Sequence, residues 1–286
     1  MRPAEVISKL DIVIKRARAE MRNAFGLPAT QTLNEAAELN DKFEELYNTG
    51  RYADAIPLSE RQLEIAETTF EPSHPSVAVA LNNLAELYFN TSRYADAEPL
   101  IRRALVIDEE RFGPHHFVVA SDLNSLGLVL LHTGRAAEAE PLFRRALAID
   151  EKHSGADHPN VARNLNNLGQ LLLVTRRFGE AEMVMRQALG ILEKSLGPEH
   201  PYVANALSSL ATLFSVANRP LEAEALYRRA LAINEKYFGP DHPKVAIDLN
   251  NLAELLKDTN RPTEAEPFIR RALAINEKNS TEKSPA

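Results

Sequence analysis

Apolar positions along this chain return in two alternating helical sets. Between residues 74 and 115, Leu81, Leu84, Ala85 and Tyr88 fall at i, i+3, i+4 and i+7, the stripe that one face of an α-helix buries. After a short break, Ala97, Leu100, Ile101, Ala104, Leu105 and Ile107 repeat the pattern. The stretch therefore predicts two antiparallel helices, A and B. The whole block then recurs, with His74, His116, His158, His200 and His242 each 42 residues apart and no gap in register. A fixed period of that length marks a solenoid, and an all-α fold is expected.

Six units follow from this alignment: 32–73, 74–115, 116–157, 158–199, 200–241 and 242–278. The first is degenerate, with Thr32 where later units carry histidine, although RYADA at Arg51–Ala55 recurs letter for letter at Arg93–Ala97. Residues 1–31 form a separate segment whose apolar spacing (Val6, Leu10, Val13, Ile14, Ala17, Met21, Phe25) predicts an amphipathic capping helix ended by Gly26 and Pro28. The polar end, 279–286, is expected to be a disordered tail.

The punctuation between helices fits. A column of Gly50, Ser92, Gly134, Arg176, Asn218 and Asn260 separates A from B, partly residues that tolerate the left-handed conformation closing a helix. Arginine follows in every unit, and an acid three residues later lies in the first turn of helix B, where the helix dipole favours it. Proline after the histidine suits the first position of the next helix A. Small residues at Ala85, Gly127, Gly169, Ala211 and Ala253 let another helix approach closely. Pairs such as Glu98–Arg102 and Glu224–Arg228, with the acid first at i, i+4, mark a solvated outer face of helix B.

These features together resemble a tetratricopeptide repeat. The LNNLA of helix A, the AEPLxRRALAI of helix B and the GPxHP linker are similar to the 42-residue repeats of kinesin light chains and related bacterial proteins. The resemblance covers about residues 32–278 and implies a right-handed superhelical solenoid whose A helices line a concave face that binds a peptide or helix of a partner protein. Kinesin light chains carry a heptad coiled coil before their repeats, which residues 1–31 are too short to supply, so motor association is not carried over. Their basic groove has no counterpart here either.

At about 100° per residue, the groove positions opposite the buried stripe are those of Val79, Asn82, Asn83, Glu86, Phe89 and Asn90 and their equivalents. Two polar columns run through them: Asn82, Asn124, Asn166, Ser208 and Asn250, and Asn83, Ser125, Asn167, Ser209 and Asn251. Asparagine is a poor helix former, and its amide can either hold the backbone of an extended peptide or brace neighbouring helices. Both roles stay open. The centre of the groove varies instead of repeating: Glu86, Leu128, Gln170, Thr212 and Glu254 in one column, and Leu131, His132, Leu173 and Val174 in the next turn. Arg163 is the cation this register places near the middle. The expectation is a ligand with apolar anchors over Leu128, Leu131, Leu173 and Val174 and basic groups toward the ends. Self-association through the last helix B (Phe268, Ile269, Leu273, Ile275) or the N-terminal helix is the alternative.

Composition narrows this little further. A net charge of −7 opposes nonspecific binding to nucleic acid, although residues 1–25 carry six basic against three acidic side chains. No apolar run is long enough to span a membrane, and membrane contact is not expected. The absence of cysteine removes disulfides and thiolate chemistry and is compatible with the cytoplasm. The five repeated histidines occupy successive rungs and cannot converge on one metal ion. No orienting acid accompanies His132 and no glycine-rich phosphate loop occurs. A non-enzymatic scaffold without a cofactor is expected.

Overall fold

In a computed structural model of the chain, residues 28–281 are described, with side chains over 38–279. They form twelve helices and no strand among the described residues. These are α1 Pro28–Asn48, α2 Tyr52–Thr69, α3 Pro75–Asn90, α4 Tyr94–Phe112, α5 Phe117–His132 and α6 Ala136–Ser154, then α7 Pro159–Val174, α8 Phe178–Leu196, α9 Pro201–Val216, α10 Pro220–Phe238, α11 Pro243–Asp258 and α12 Pro262–Thr281. Odd-numbered helices are the A helices and even-numbered ones the B helices. The chain divides into two compact units, Met1–Ile149 and Asp150–Ala286.

Two expectations shift at the ends. Pro28 opens α1, because proline suits a helix's first position, where its missing N–H costs nothing. The helix expected over 4–25 lies outside the described residues. At the other end α12 runs on to Thr281, past the tail boundary expected at 279. There Asn279 Nδ2 donates to the carbonyls of Ile275 at 2.7 Å and Asp241 at 3.2 Å.

The A-to-B turn forms as its residues dictate. The N–H of Arg93 reaches back to the Tyr88 carbonyl at 2.7 Å, and that of Arg219 to Phe214 at 2.8 Å, the long closing bond that a left-handed residue makes accessible. That residue has φ near +60° at Ser92, Arg176, Asn218 and Asn260, and is glycine at 50 and 134. The expected stripe is buried: Leu81, Leu84, Ala85 and Tyr88 in α3, with Ala97, Ile101, Ala104 and Ile107 in α4. The small column does what its size allows. A Cβ on Gly127 would meet Phe143 Cε1 at 2.6 Å, and one on Gly169 would meet Met185 Cγ at 2.5 Å, so each glycine accommodates a large side chain from the B helix of its own pair.

Candidate functional site

Much of what repeats in the sequence is spent on joining repeats. Each linker histidine caps the helix A that follows it. Nδ1 of His74 accepts from the Ser76 N–H at 3.1 Å, and His158, His200 and His242 do the same to Asn160, Tyr202 and Lys244 at 3.2, 3.1 and 3.2 Å. His116 makes the longer version, 3.4 Å to Val118. Satisfying one of the orphan donors at a helix start explains the column without any metal. Among the described residues no group of three His, Asp or Glu side chains is arranged to hold an ion.

The Glu–Arg pairs of helix B form on an exposed face as expected, and their acids also join one repeat to the next. Glu182 accepts from Arg186 in its own helix and from Arg219 of the next turn, at 2.5 Å. Glu98 accepts from Arg102 and Arg135, and Glu224 from Arg228 and Arg261. The next repeat's arginine covers these acids, so Glu224 is only 15% exposed. Hydrogen bonding from Arg219 and Arg186 holds the Glu182 carboxyl below its ordinary range despite partial burial.

A second seam lies deeper and pairs a B-helix residue with one fourteen positions on, in the next A helix. In the first unit Asp108 faces Asp122 through a side-chain hydrogen bond, and Asn82 Nδ2 donates to Asp122 Oδ1 at 2.7 Å. In the second, Asn164 Nδ2 donates to Asp150 at 2.9 Å and Asn234 Nδ2 to Asp248 at 2.6 Å. Where no polar residue stands, the pair is apolar: Ala66 with Ala80, Leu192 with Ala206. Burial, and then the neighbouring Asp108 charge, push the Asp122 carboxyl up to about 8.

The predicted groove residues separate into two groups. Asn83, Asn124 and Asn167 are buried at 8%, 4% and 9% exposure, and Asn124 Nδ2 donates to the Ala120 carbonyl in its own helix. These three, together with the Asn82 bridge to Asp122, belong to the packing of the helices and do not face solvent as a ligand ladder would require. Asn166, Gln170 and Ser208 are half-buried, while Asn250 and Glu254 are exposed. Thr212 is exposed, donates to the Ser208 carbonyl and shares a hydrogen bond with the Tyr227 hydroxyl at 2.8 Å. Arg163 has Asp150 at 3.8 Å, so part of its charge is already answered.

Within the first unit, Leu128 and Leu131 are half-exposed and His132 is exposed on α5, beside an aromatic group the sequence did not single out. Phe89 meets Tyr94 and His132 edge-on at 5.3 and 5.1 Å, and Tyr94 stacks on His132 at 5.1 Å. One repeat earlier, Tyr47 lies between Phe43 and Tyr52, at 5.8 and 5.3 Å, and donates its hydroxyl to Glu86. Burial raises the Glu86 carboxyl above its usual range, against the hydrogen bond from Tyr47. Tyr52 and Tyr94 stand first in helix B, inside the RYADA motif, outside the helix A register that predicts the groove. Their signal was that the later units replace this tyrosine, with Ala136, Phe178, Pro220 and Pro262.

Within the second unit the same face is aliphatic. Leu173 is half-buried, and Val174 and Val216, one repeat apart, are 62% and 58% exposed.

Paired helices with capped, ladder-joined repeats and varied A-helix faces define a helical-repeat scaffold. The sequence profile of the tetratricopeptide repeat matches residues 46–110, 77–152, 118–194, 173–236 and 217–278, and the chain belongs to that family. Among solved structures it is similar to BtubC (BKLC) from P. vanneervenii, with 23% identity over 82% of this chain and 94% of that one and a TM-score of 0.64. A kinesin light chain of Podosopora anserina with nearly identical TPR-like repeats matches at 23% identity, over 74% and 99% of the two chains, with a TM-score of 0.58. A Rap protein, solved in complex with competence and sporulation factor, matches at 16% identity over 96% and 81%, with a TM-score of 0.61. No curated protein matches the sequence. Among the described residues no helix is long and apolar enough to cross a membrane.

Proposed function

We propose that this chain is a non-enzymatic scaffold that binds a peptide or helix of a partner protein along its A-helix faces. The observation that carries this reading is a division of labour by position. Residues that repeat every 42 positions are buried, capped or tied into ladders. Those that vary, among them Leu131, His132, Leu173, Val174 and Val216, keep apolar or aromatic surface open to solvent. Exposed apolar groups in a row, rimmed by polar ones, are what a docking segment covers. The Rap protein, crystallised with a factor bound, lends the fold a precedent for holding a second molecule.

The test is substitution on each unit separately, with binding of library-selected peptides to the full chain as the readout. Leu173→Asp in the second unit or Leu131→Asp in the first should weaken the peptides that use that face by tenfold or more, with the thermal melt unchanged. Full affinity in both variants would sink the reading.

Self-association has one observation in its favour. Pro262, Ile269 and Leu273 line an open apolar pocket on α12, with Leu273 57% exposed; Ile275, also expected to be open there, is buried. A dimer in light scattering that Leu273→Glu dissolves would establish this second role.

A further inference from the structure

Accepting the binding role proposed above, we infer that the A-helix face of the first unit takes a lysine or arginine side chain of the bound peptide, in a pocket formed by Glu86 with Tyr47, Tyr52, Phe89, Tyr94 and His132. The geometry sets a carboxylate against a tyrosine hydroxyl, on the same helix as a second group of rings. Glu86 stands on α3, held by the Tyr47 hydroxyl, while the Tyr47 ring is fixed by Phe43 on one side and Tyr52 on the other. One helical turn further along α3, Phe89 begins the second aromatic group, closed by Tyr94 and the exposed ring of His132.

Three features make a cation the matching occupant. Among the described residues no lysine or arginine pairs with Glu86, whereas the B-helix acids Glu98, Glu182 and Glu224 each hold two arginines. A partly buried carboxylate that holds no lysine or arginine among the described residues gains from an arriving cation, since the low-dielectric surroundings strengthen that attraction. Tyrosine and phenylalanine faces add attraction for the same charge through the ring quadrupole, and they receive the aliphatic stem of a lysine or the plane of an arginine.

The combination is peculiar to this unit. At the positions of Glu86, Phe89 and Tyr94 the later repeats carry Gln170, Leu173 and Phe178, then Thr212, Ser215 and Pro220. The last repeat has a carboxylate, Glu254, but it is exposed and stands with Lys257 and Pro262 in place of the two rings. Glu254 therefore serves as an internal control.

A random peptide library displayed on phage, selected against the full chain and against its Glu86→Gln and Glu254→Gln variants, tests this. Gln at 86 keeps an acceptor for Tyr47 and removes the charge. We expect selections on the parent chain and on Glu254→Gln to share a position fixed as lysine or arginine, and selections on Glu86→Gln to yield binders that lack it. For one selected peptide, Glu86→Gln and replacement of its basic residue by glutamine should each weaken binding about tenfold or more, and the two together no further.

Binders without a basic position, or a basic position that survives Glu86→Gln, would overturn the cation pocket and leave the groove reading standing. No binders at all would overturn both. Zero-length carbodiimide cross-linking of Lys9 or Lys15 to Glu86 in the peptide-free chain would show that the chain's own basic N-terminal segment fills the site, and the partner assignment would fall.

Discussion

The two compact units solve one packing problem with different chemistry. At the deep seam the second unit sets an amide opposite each carboxylate, Asn164 with Asp150 and Asn234 with Asp248. The first unit sets two carboxylates together, Asp108 and Asp122. An amide can donate to a carboxylate at any pH, whereas two acids must share a proton, because like charges side by side in a buried site disfavour double ionisation. On the A-helix face the difference recurs: aromatic rings and a half-buried acid in the first unit, valine and leucine in the second. A 42-residue repeat constrains backbone and core but leaves both seam and face free to vary.

The largest expected effect follows from the acid pair. Burial raises the folded-state pKa of Asp122 to about 8, above the ordinary carboxylate value near 4. A raised pKa contributes stability that is fully present below the unfolded value and is lost as pH rises through the folded one. The first unit should therefore lose stability from about pH 4 to about pH 8. Asp122→Asn, which copies the pairing of the second unit, should remove most of that slope and stabilise the chain at pH 9 by about 2–3 kcal/mol. Thermal melts across pH would check this; equal slopes in variant and parent would break the contrast between the seams.

A middle-sized effect concerns the small column. Ala at 127 must displace the ring of Phe143, which is fully buried, whereas Ala at 169 meets the flexible chain of Met185. Replacing a helical glycine by alanine gains roughly 0.5–1 kcal/mol of backbone entropy, and overpacking a rigid core costs about 1–3 kcal/mol. Both variants should destabilise, Gly127→Ala the more, because the Met185 chain can change rotamer to move its Cγ whereas the Phe143 ring cannot bend. Chemical denaturation of both variants sharpens the comparison, and equal costs would mean that ring rigidity is not what separates them.

The smallest effect lies at the turns. Arg176 has φ of +60° in the second unit, where the first has Gly134 at +78°. Arg176→Gly should relieve the left-handed strain and add under about 1 kcal/mol, read as a small rise in the denaturation midpoint.

The sequence carried the scaffold further than the site. Period, helix pairing, left-handed turns and the small column were legible because each is a local or periodic demand that recurs from repeat to repeat. Histidine as a helix cap was not, since its Nδ1 lone pair does this uncommonly compared with serine or aspartate. The Asn columns stayed ambiguous for a physical reason: an amide in a helix interior satisfies either a ligand or a neighbour, and only three-dimensional burial shows that Asn83, Asn124 and Asn167 are enclosed. The seam pairs were hidden in plain periodicity, as positions fourteen apart whose polarity changes together. The two ring groups, Phe43/Tyr47/Tyr52 and Phe89/Tyr94/His132, draw on α1 to α5, which a reading of helix A alone cannot reach.

Photo-cross-linking of a library-selected peptide to the full chain, mapped by mass spectrometry, tests most directly the claim that the varied A-helix faces bind the partner. Adducts on α3 and α5 of the first unit, or on α7 and α9 of the second, at the varied positions around Glu86, Leu131, Leu173 and Val216, are the predicted result. Adducts confined to the arginine-laddered B helices α4, α8 and α10 would contradict it.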